Sequence, residues 1–279
     1  MRGKDKNIGK VVLAGAGPGD PELITLKTLR YLKKADVIIA DRLVSPDLLT
    51  EIKEGAEVIF VGKQGGNAES TSQETINQLL VEFALQNKLV LRLKGGDVAF
   101  FSNVLDELET LVFHQIPYEI IPGITAASGA SAYAGIPLTA RGYASSVRLL
   151  TFNHPEAAEK ALLKEWAETD DTLVFYMSAQ VLTSLLNELI ENGISADKWV
   201  AVIEQATTPH QCVYSSPIHK FLDRTKKKKF ASPTLVIIGC VAQLHNKFNW
   251  KINANEEADY FKPIGSHFTE ELISHARRN

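Results

Sequence analysis

Lys10-Val-Val-Leu-Ala-Gly-Ala-Gly-Pro-Gly-Asp20 decides the fold. Its first six residues read as a short buried strand, β-branched at the start and closed by glycine. Behind the glycines, Asp20 suits a helix N-cap, Pro21 the first helical position and Glu22 the first turn, with Lys33 and Lys34 near the far end. The same order then recurs. Asp36-Val-Ile-Ile-Ala is a second strand delivering Asp41, Arg42 and Leu43, and Glu57-Val-Ile-Phe-Val a third, delivering Gly62 and Lys63. After a polar loop over 64–72, Ile76, Leu79, Leu80 and Phe83 line one face of a helix. Leu89-Val-Leu-Arg-Leu93 empties into Lys94-Gly-Gly-Asp97, and a helix from Val104 to His114 leads to the strand Tyr118-Glu-Ile-Ile121. Strands alternating with helices imply a largely parallel sheet covered on both faces.

A run of small residues, Pro122-Gly-Ile-Thr-Ala-Ala-Ser-Gly-Ala-Ser-Ala-Tyr-Ala-Gly135, opens the second half. It suits a backbone that packs closely against a neighbour or ligand. Further strands are expected at Val147–Thr151, Asp171–Met177, Trp199–Glu204 and Thr234–Gly239. The division expected is an α/β domain over 8–121, a second over 122–249 and an extension over 250–279 with a short helix from Thr269 to Arg277.

The 279 residues are 45% hydrophobic and 23% charged, the composition of a water-soluble globular chain. Thirty basic against 33 acidic residues lack the basic excess of a general nucleic-acid binder. Two cysteines, Cys212 and Cys240, build neither a disulfide scaffold nor a four-thiolate zinc site, and seven scattered histidines show no metal-ligand spacing. No metal, membrane span or signal peptide is therefore expected, and a reducing cytoplasm is the expected location.

Four strands end in glycine-rich or acidic turns: Gly15–Asp20, Asp41, Gly62-Lys63 and Gly95–Asp97. In an open α/β sheet such loops meet beyond the carboxyl ends of the strands, where ligands bind. One such glycine can merely close a turn, but four loops together point to a nucleotide-like ligand. Gly15-Ala-Gly17 with Asp41 downstream imitates a dinucleotide fingerprint. Asp20 occupies its third glycine position, however, and would set a carboxylate against the pyrophosphate, while Pro18 removes a backbone N–H. A nicotinamide dehydrogenase ranks last for that reason.

Gly15-Ala-Gly-Pro-Gly-Asp-Pro-Glu-Leu-Ile-Thr-Leu-Lys27, Asp41-Arg-Leu-Val-Ser45, Val61-Gly-Lys63, Arg92-Leu-Lys-Gly-Gly-Asp97, Pro122–Thr139, Arg141-Gly-Tyr-Ala-Ser-Ser146, Glu204-Gln-Ala-Thr-Thr-Pro209 and Ser232-Pro233 follow in order. The set, covering about residues 9–250, resembles the tetrapyrrole methylase family. The resemblance implies two α/β domains of the tetrapyrrole methylase type with the cofactor cleft between them, a homodimer, and S-adenosyl-L-methionine as co-substrate. It implies two methyl transfers to carbons 2 and 7 of uroporphyrinogen III, giving precorrin-2 for sirohaem and cobalamin. Carried over residue by residue, the cofactor contacts fall on Pro18, Gly95, Gly96, Asp97, Phe100, Thr125, Ala126, Met177 and Ala206, the proton acceptor on Asp41 and the proton donor on Lys63.

The pyrrole carbon is the nucleophile, so catalysis needs chiefly in-line placement against the sulfonium methyl. A carboxylate such as Asp41 can accept the proton lost afterwards or stabilise the cationic ring. The substrate's eight carboxylates call for cations, and Lys63, Arg42, Lys94, Arg141 and Arg148 are the candidates; arginine's bidentate grip favours Arg141 and Arg148. Some relatives are fused to a dehydrogenase and ferrochelatase module; this chain has no room for one, so partner enzymes are expected.

The chain departs from the family at several points. Asp97 is followed by Val-Ala-Phe-Phe-Ser-Asn-Val-Leu-Asp-Glu107 where Pro-Phe-x-Phe-Gly-Arg-Gly-Gly-Glu-Glu is usual, so Asn103 replaces the arginine. Gln64 replaces the arginine after Lys63, and Ala140 replaces a histidine. These losses fall on the substrate side and keep two alternatives open: methylation of a later corrin precursor, and a cofactor-binding relative without catalysis.

Overall fold

A computed structural model describes residues 8–61, 71–152, 160–226, 228–255 and 258–261. The chain divides into two compact units, one made of the residues up to Thr125 together with Phe261 and the other running Ala126–Tyr260. The described residues of each hold one five-stranded sheet.

In the first unit the elements are β1 (Lys10–Gly15), α1 (Leu26–Leu32), β2 (Val37–Asp41), β3 (Glu57–Val61), α2 (Gln73–Leu85), β4 (Leu89–Lys94), α3 (Val104–Phe113) and β5 (Tyr118–Ile121). The strands lie in the order β3-β2-β4-β1-β5, all parallel. Their side chains alternate between two apolar layers, which is why the strands read as near-continuous hydrophobic runs. Val12, Ala14, Ile38, Leu91 and Leu93 pack with Leu29 and Leu32 of α1. Val11, Leu13, Ile39 and Val90 pack with Ile76 and Leu80 of α2 and Leu111 of α3 on the other face.

The helix expected at Asp20 begins later. Asp20 caps only a short 3-10 turn, Pro21–Leu23, its Oδ1 accepting from the Glu22 N–H at 2.9 Å. Ile24 then returns to extended backbone and Thr25 caps α1, its Oγ1 accepting from the Thr28 N–H at 3.2 Å. Two capping residues five apart compete here, and each starts its own turn.

In the second unit follow α4 (Ala126–Ala134), β6 (Val147–Thr151), α5 (Lys160–Glu168), β7 (Thr172–Tyr176), α6 (Leu182–Glu191), β8 (Trp199–Glu204), β9 (Cys212–Pro217), α7 (Ile218–Thr225), β10 (Thr234–Gly239) and α8 (His245–Phe248). The strand order is β6-β7-β10-β8-β9. One face packs against Leu163, Leu185, Leu186 and Phe221 of α5, α6 and α7, the other against Ala127, Ala130 and Ala134 of α4. The small-residue stretch thus serves close packing: a Cβ on Gly135 would fall 2.1 Å from the Phe248 carbonyl oxygen.

The largely parallel arrangement read from the alternating strands of the first half does not recur in this unit. Only β6 and β7 pair parallel; β10 runs antiparallel to both β7 and β8, and β8 to β9. The short link from Glu204 to Cys212 cannot make the crossover that parallel neighbours need. Strand β9 escaped the sequence reading because Tyr-Ser-Ser-Pro carries little apolar alternation, and it sits at the sheet edge where such residues are tolerated.

Candidate active site

Because the first sheet is parallel, Gly15, Asp41, Lys94 and Ile121 all lie at its carboxyl edge. Strands β1 and β4 are neighbours, yet their following helices α1 and α3 cover opposite faces, so the loops after them part at this point. Such a switch point is where open α/β sheets bind ligands.

The two loops are tied together by backbone. The Gly17 N–H donates to Gly96 O at 3.1 Å and the Gly96 N–H to Gly17 O at 2.7 Å. The Asp97 carboxylate closes the arrangement, Oδ1 accepting from the Ala99 N–H at 2.7 Å and Oδ2 from the Gly123 N–H at 2.6 Å. Pro18, Gly95, Gly96 and Asp97 are thereby brought together at one place. Phe100 stands in the same loop, 42% exposed, and Thr125 follows β5 half-buried.

Glycine is required here for space. A Cβ on Gly123 would meet Gly96 O at 2.2 Å and Gly15 Cα at 2.8 Å, both backbone atoms. Gly123→Ala is expected to destabilise the first unit by about 1–3 kcal/mol through that overlap. Urea denaturation checks this; an unchanged midpoint would mean that the three loops separate freely.

The loop that departs from the family contains two residues in left-handed backbone, Phe101 (φ 51°) and Asn103 (φ 52°). Asn tolerates that region and phenylalanine does not, so Phe101 marks a strained position beside the candidate site. Asn103 is also the N-cap residue of α3, without a side-chain capping bond.

Asp41, at the end of β2, accepts at Oδ1 from Arg92 Nη2 at 2.5 Å. Arg92 lies in the middle of β4 with its side chain 2% exposed. Its Nε donates to Glu107 Oε1 at 2.9 Å and its Nη1 to Leu93 O and Ile39 O at 3.0 and 3.3 Å. Glu107 is fully buried on α3, and its Oε1 also accepts from Lys94 Nζ at 2.9 Å. Glu107 Oε2 has no hydrogen-bond partner among the described residues. Burial works against the Arg92 charge, but Asp41 and Glu107 offset it and hold its pKa above the ordinary arginine value. For Lys94 burial and the nearby guanidinium prevail, and its pKa is lowered.

The remaining candidates lie in the second unit. Strands β6, β7 and β8 point the same way, since β10 opposes both β7 and β8. Met177 follows β7 and Ala206 follows β8, so they occupy one edge of the sheet. The Ala127 N–H donates to Tyr176 Oη at 3.0 Å, which fixes the start of α4, and with it Ala126, at that same edge. Met177 has φ 54° and is 61% exposed, and Ala206 is buried between Gln205 (φ 44°) and Thr207 (φ 70°). Non-glycine residues held in this region cluster at ligand sites.

The candidate anchors divide. Lys94 is buried against Glu107, and Arg148 is bonded to Asp171 at 2.5 Å and to Glu165, so both cations are engaged within their own units. Arg42 is half-buried; Arg141 is exposed and lines a groove of about 700 Å³ with Tyr143, Asp170, Asp171 and Asp197. Lys63, the expected proton donor, lies outside the described residues, as does the helix expected from Thr269 to Arg277.

Sequence reading singled out neither Arg92 as a partner of Asp41 nor Glu107 at all. Both carry a signal. A charged side chain in the middle of a strand covered on both faces needs a buried partner. Glu107 falls three residues after Val104 and four before Leu111, on the inward face of α3.

A profile for Tetrapyrrole (Corrin/Porphyrin) Methylases matches residues 10–221. A siroheme synthase from Saccharophagus degradans is 44% identical over 242 residues, covering 87% of this chain and 53% of the relative. Another from Pseudomonas paraeruginosa is 44% identical over 250 residues, covering 90% and 54%. The chain thus spans about half the length of these curated relatives. Among solved structures, a uroporphyrin-III-C-methyltransferase from Thermus thermophilus aligns with TM-score 0.72 at 32% identity, covering 88% of this chain and 98% of that one. A cobalt precorrin-4 methyltransferase aligns with TM-score 0.74 at 28% identity, covering 84% and 95%. With the profile spanning most of both units, and the glycine loops and Asp41 set at the carboxyl edge of the first, the chain belongs to the tetrapyrrole (corrin/porphyrin) methylase family.

Proposed function

We propose that the chain transfers methyl groups from S-adenosyl-L-methionine to carbons 2 and 7 of uroporphyrinogen III, giving precorrin-2 for sirohaem or cobalamin. One observation carries this reading: the Thermus thermophilus uroporphyrin-III-C-methyltransferase is covered over 98% of its length, and a structure of that enzyme is complexed with S-adenyl homocysteine. A homodimer belongs to the same proposal and rests on the family resemblance, and a cytoplasmic location rests on the composition and cysteine usage of the sequence. Among the described residues no helix is long and apolar enough to cross a membrane, and no cluster of His, Cys, Asp or Glu suits a metal.

S-adenosyl-L-methionine would supply an electrophilic methyl group when bound. Its proposed contacts are Pro18, Gly95, Gly96, Asp97, Phe100, Thr125, Ala126, Met177 and Ala206. They suit a ligand held by main chain and apolar surface: small residues and left-handed turns expose backbone, and Phe100 and Met177 are exposed apolar side chains. Asp41 is assigned as the proton acceptor, with its carboxylate oriented by Arg92. Lys63 keeps its proposed role as donor. Arg42 and Arg141 are the proposed anchors for the substrate's carboxylates. Lys94 and Arg148 could serve there only by leaving their internal partners.

A second reading, methylation of a later corrin precursor, is supported by the alignment with the cobalt precorrin-4 methyltransferase and by Asn103 in place of the usual arginine. Anaerobic turnover of uroporphyrinogen III with radiolabelled S-adenosylmethionine separates the two. Two labels per macrocycle are expected. Cofactor binding without label transfer would reject uroporphyrinogen III and turn the search to later precursors.

A further inference from the structure

Ala206 sits in a turn that the local backbone alone does not favour. Gln205 and Thr207 on either side both occupy the left-handed region, at φ 44° and 70°. Such residues cost about 1–2 kcal/mol each and persist only where the surroundings over-determine them.

The surroundings are visible. Gln205 is 3% exposed and its polar groups are engaged in every direction. Its N–H donates to Pro233 O at 2.8 Å, and its C=O accepts from Thr208 Oγ1 at 2.8 Å. The side-chain amide reaches the C-terminal segment: Nε2 donates to Ala258 O at 2.7 Å and Oε1 accepts from the Tyr260 N–H at 2.7 Å. That segment is bonded to the same β8–β9 connection further along. The Ala254 N–H donates to Gln211 O at 3.1 Å, and Gln211 Oε1 accepts from the Thr207 N–H at 2.8 Å. Asn253 makes a reciprocal pair with Val213, accepting from its N–H at 2.8 Å and donating to its C=O at 3.1 Å. All of these atoms belong to the second unit.

We propose that Gln205 is a positioning residue for the cofactor-facing turn at Ala206, and that the segment carrying Asn253, Ala254, Ala258 and Tyr260 is a strap that holds Gln205 in place. The proposal rests on the reading of Ala206 as an S-adenosylmethionine contact. The C-terminal segment then has a task in ligand binding although it supplies no ligand contact itself. Both bonds of the Gln205 amide go to backbone groups of the strap. Truncating the side chain therefore removes the clamp and leaves every residue of the turn's own sequence but one unchanged.

The test uses the full chain with Gln205→Ala, Asn253→Ala and the pair, and S-adenosylhomocysteine as the calorimetric probe. Loss of two neutral hydrogen bonds predicts about tenfold weaker binding for Gln205→Ala. The KM for S-adenosylmethionine rises with it, while kcat at saturation stays. Asn253→Ala is expected to weaken binding less. The double variant should match Gln205→Ala instead of adding to it, because Asn253→Ala leaves the Ala254–Gln211 and Gln211–Thr207 bonds in place and loosens the turn through Gln205. Gln205→Glu should not recover the affinity, because it replaces the donor to the Ala258 carbonyl with an acceptor and buries a charge. A lower denaturation midpoint with unchanged probe affinity would reduce the strap to a structural brace and overturn the proposal; so would additive losses.

Amide hydrogen exchange at Tyr260 and Thr207 keeps this separate from the reading of the function. If the wild-type chain does not bind the probe, the methyltransferase reading fails and takes the cofactor half of the proposal with it. The strap itself is still judged: exchange at both amides faster in Gln205→Ala than in wild type supports it, and equal rates overturn it. Should Gln205→Ala not fold, Asn253→Ala carries the same measurements.

Discussion

Asp41→Asn is expected to lower steady-state turnover about 100- to 10,000-fold, the range that a positioned general base contributes. The variant keeps the size of the side chain and an amide oxygen that can still accept from Arg92 Nη2, so the geometry at the end of β2 is retained. What disappears is the carboxylate. It serves the reaction in one of two ways, by accepting the proton lost from the methylated ring system or by stabilising the positive charge that methylation creates. Single-turnover label transfer distinguishes them. If charge stabilisation dominates, the first methyl transfer itself slows. If proton acceptance dominates, the first label is transferred at a near-normal rate and the release of product stalls. In both cases S-adenosylhomocysteine affinity stays at the wild-type value. A variant that completes both transfers at a rate within about threefold of wild type would remove Asp41 from the mechanism, since no useful base contributes so little.

The class of fold was legible because the signals that specify it are local. β1, β3, β5, β8 and β10 have the bounds read from their β-branched runs, each closed by glycine, a polar residue or a chain reversal. Strand direction in the second sheet was not legible. It depends on the length of the link between β8 and β9, and β9 itself lacks a strong apolar pattern. At the site, the glycine loops announced themselves in the sequence, since bare backbone there permits the contacts among Gly15, Gly96 and Gly123. The pairing of Asp41 with Arg92 did not, because it joins strands 51 residues apart in sequence that only the sheet order makes neighbours. Glu107 falls in the helix read from Val104 to His114, but its place on the buried face of that helix, as the partner of two β4 cations, depends on the tertiary packing of α3 against the sheet. The strap was beyond reach altogether: nothing in Asn253 or Gln205 alone indicates that one segment clamps the other.

Arg92→Met is expected to be the most destabilising of these substitutions, and its rescue separates stability from catalysis. The side chain is 2% exposed and makes bonds to Asp41, Glu107 and two carbonyl groups. Removing it leaves Glu107 buried with Lys94 as its one cation among the described residues and strips Asp41 of its Arg92 bond. Breaking a buried ion pair from one side costs about 3–5 kcal/mol, much of it the desolvation of the charge left behind. Glu107→Leu should cost a similar amount, because it leaves two buried cations facing each other. A fully apolar set, Arg92→Met with Lys94→Met and Glu107→Leu, removes the stranded charges together, and buried networks replaced in this way regain most of their stability. Denaturation followed by a probe in the first unit should therefore show deep losses for the single variants and a near-wild-type midpoint for the triple one, with the second unit unaffected. Turnover should behave differently. The triple variant still lacks the guanidinium that orients Asp41, so label transfer stays low although the fold has recovered. If activity returned along with stability, the buried cluster would be a structural element alone and the Arg92–Asp41 bond would have no part in placing the base.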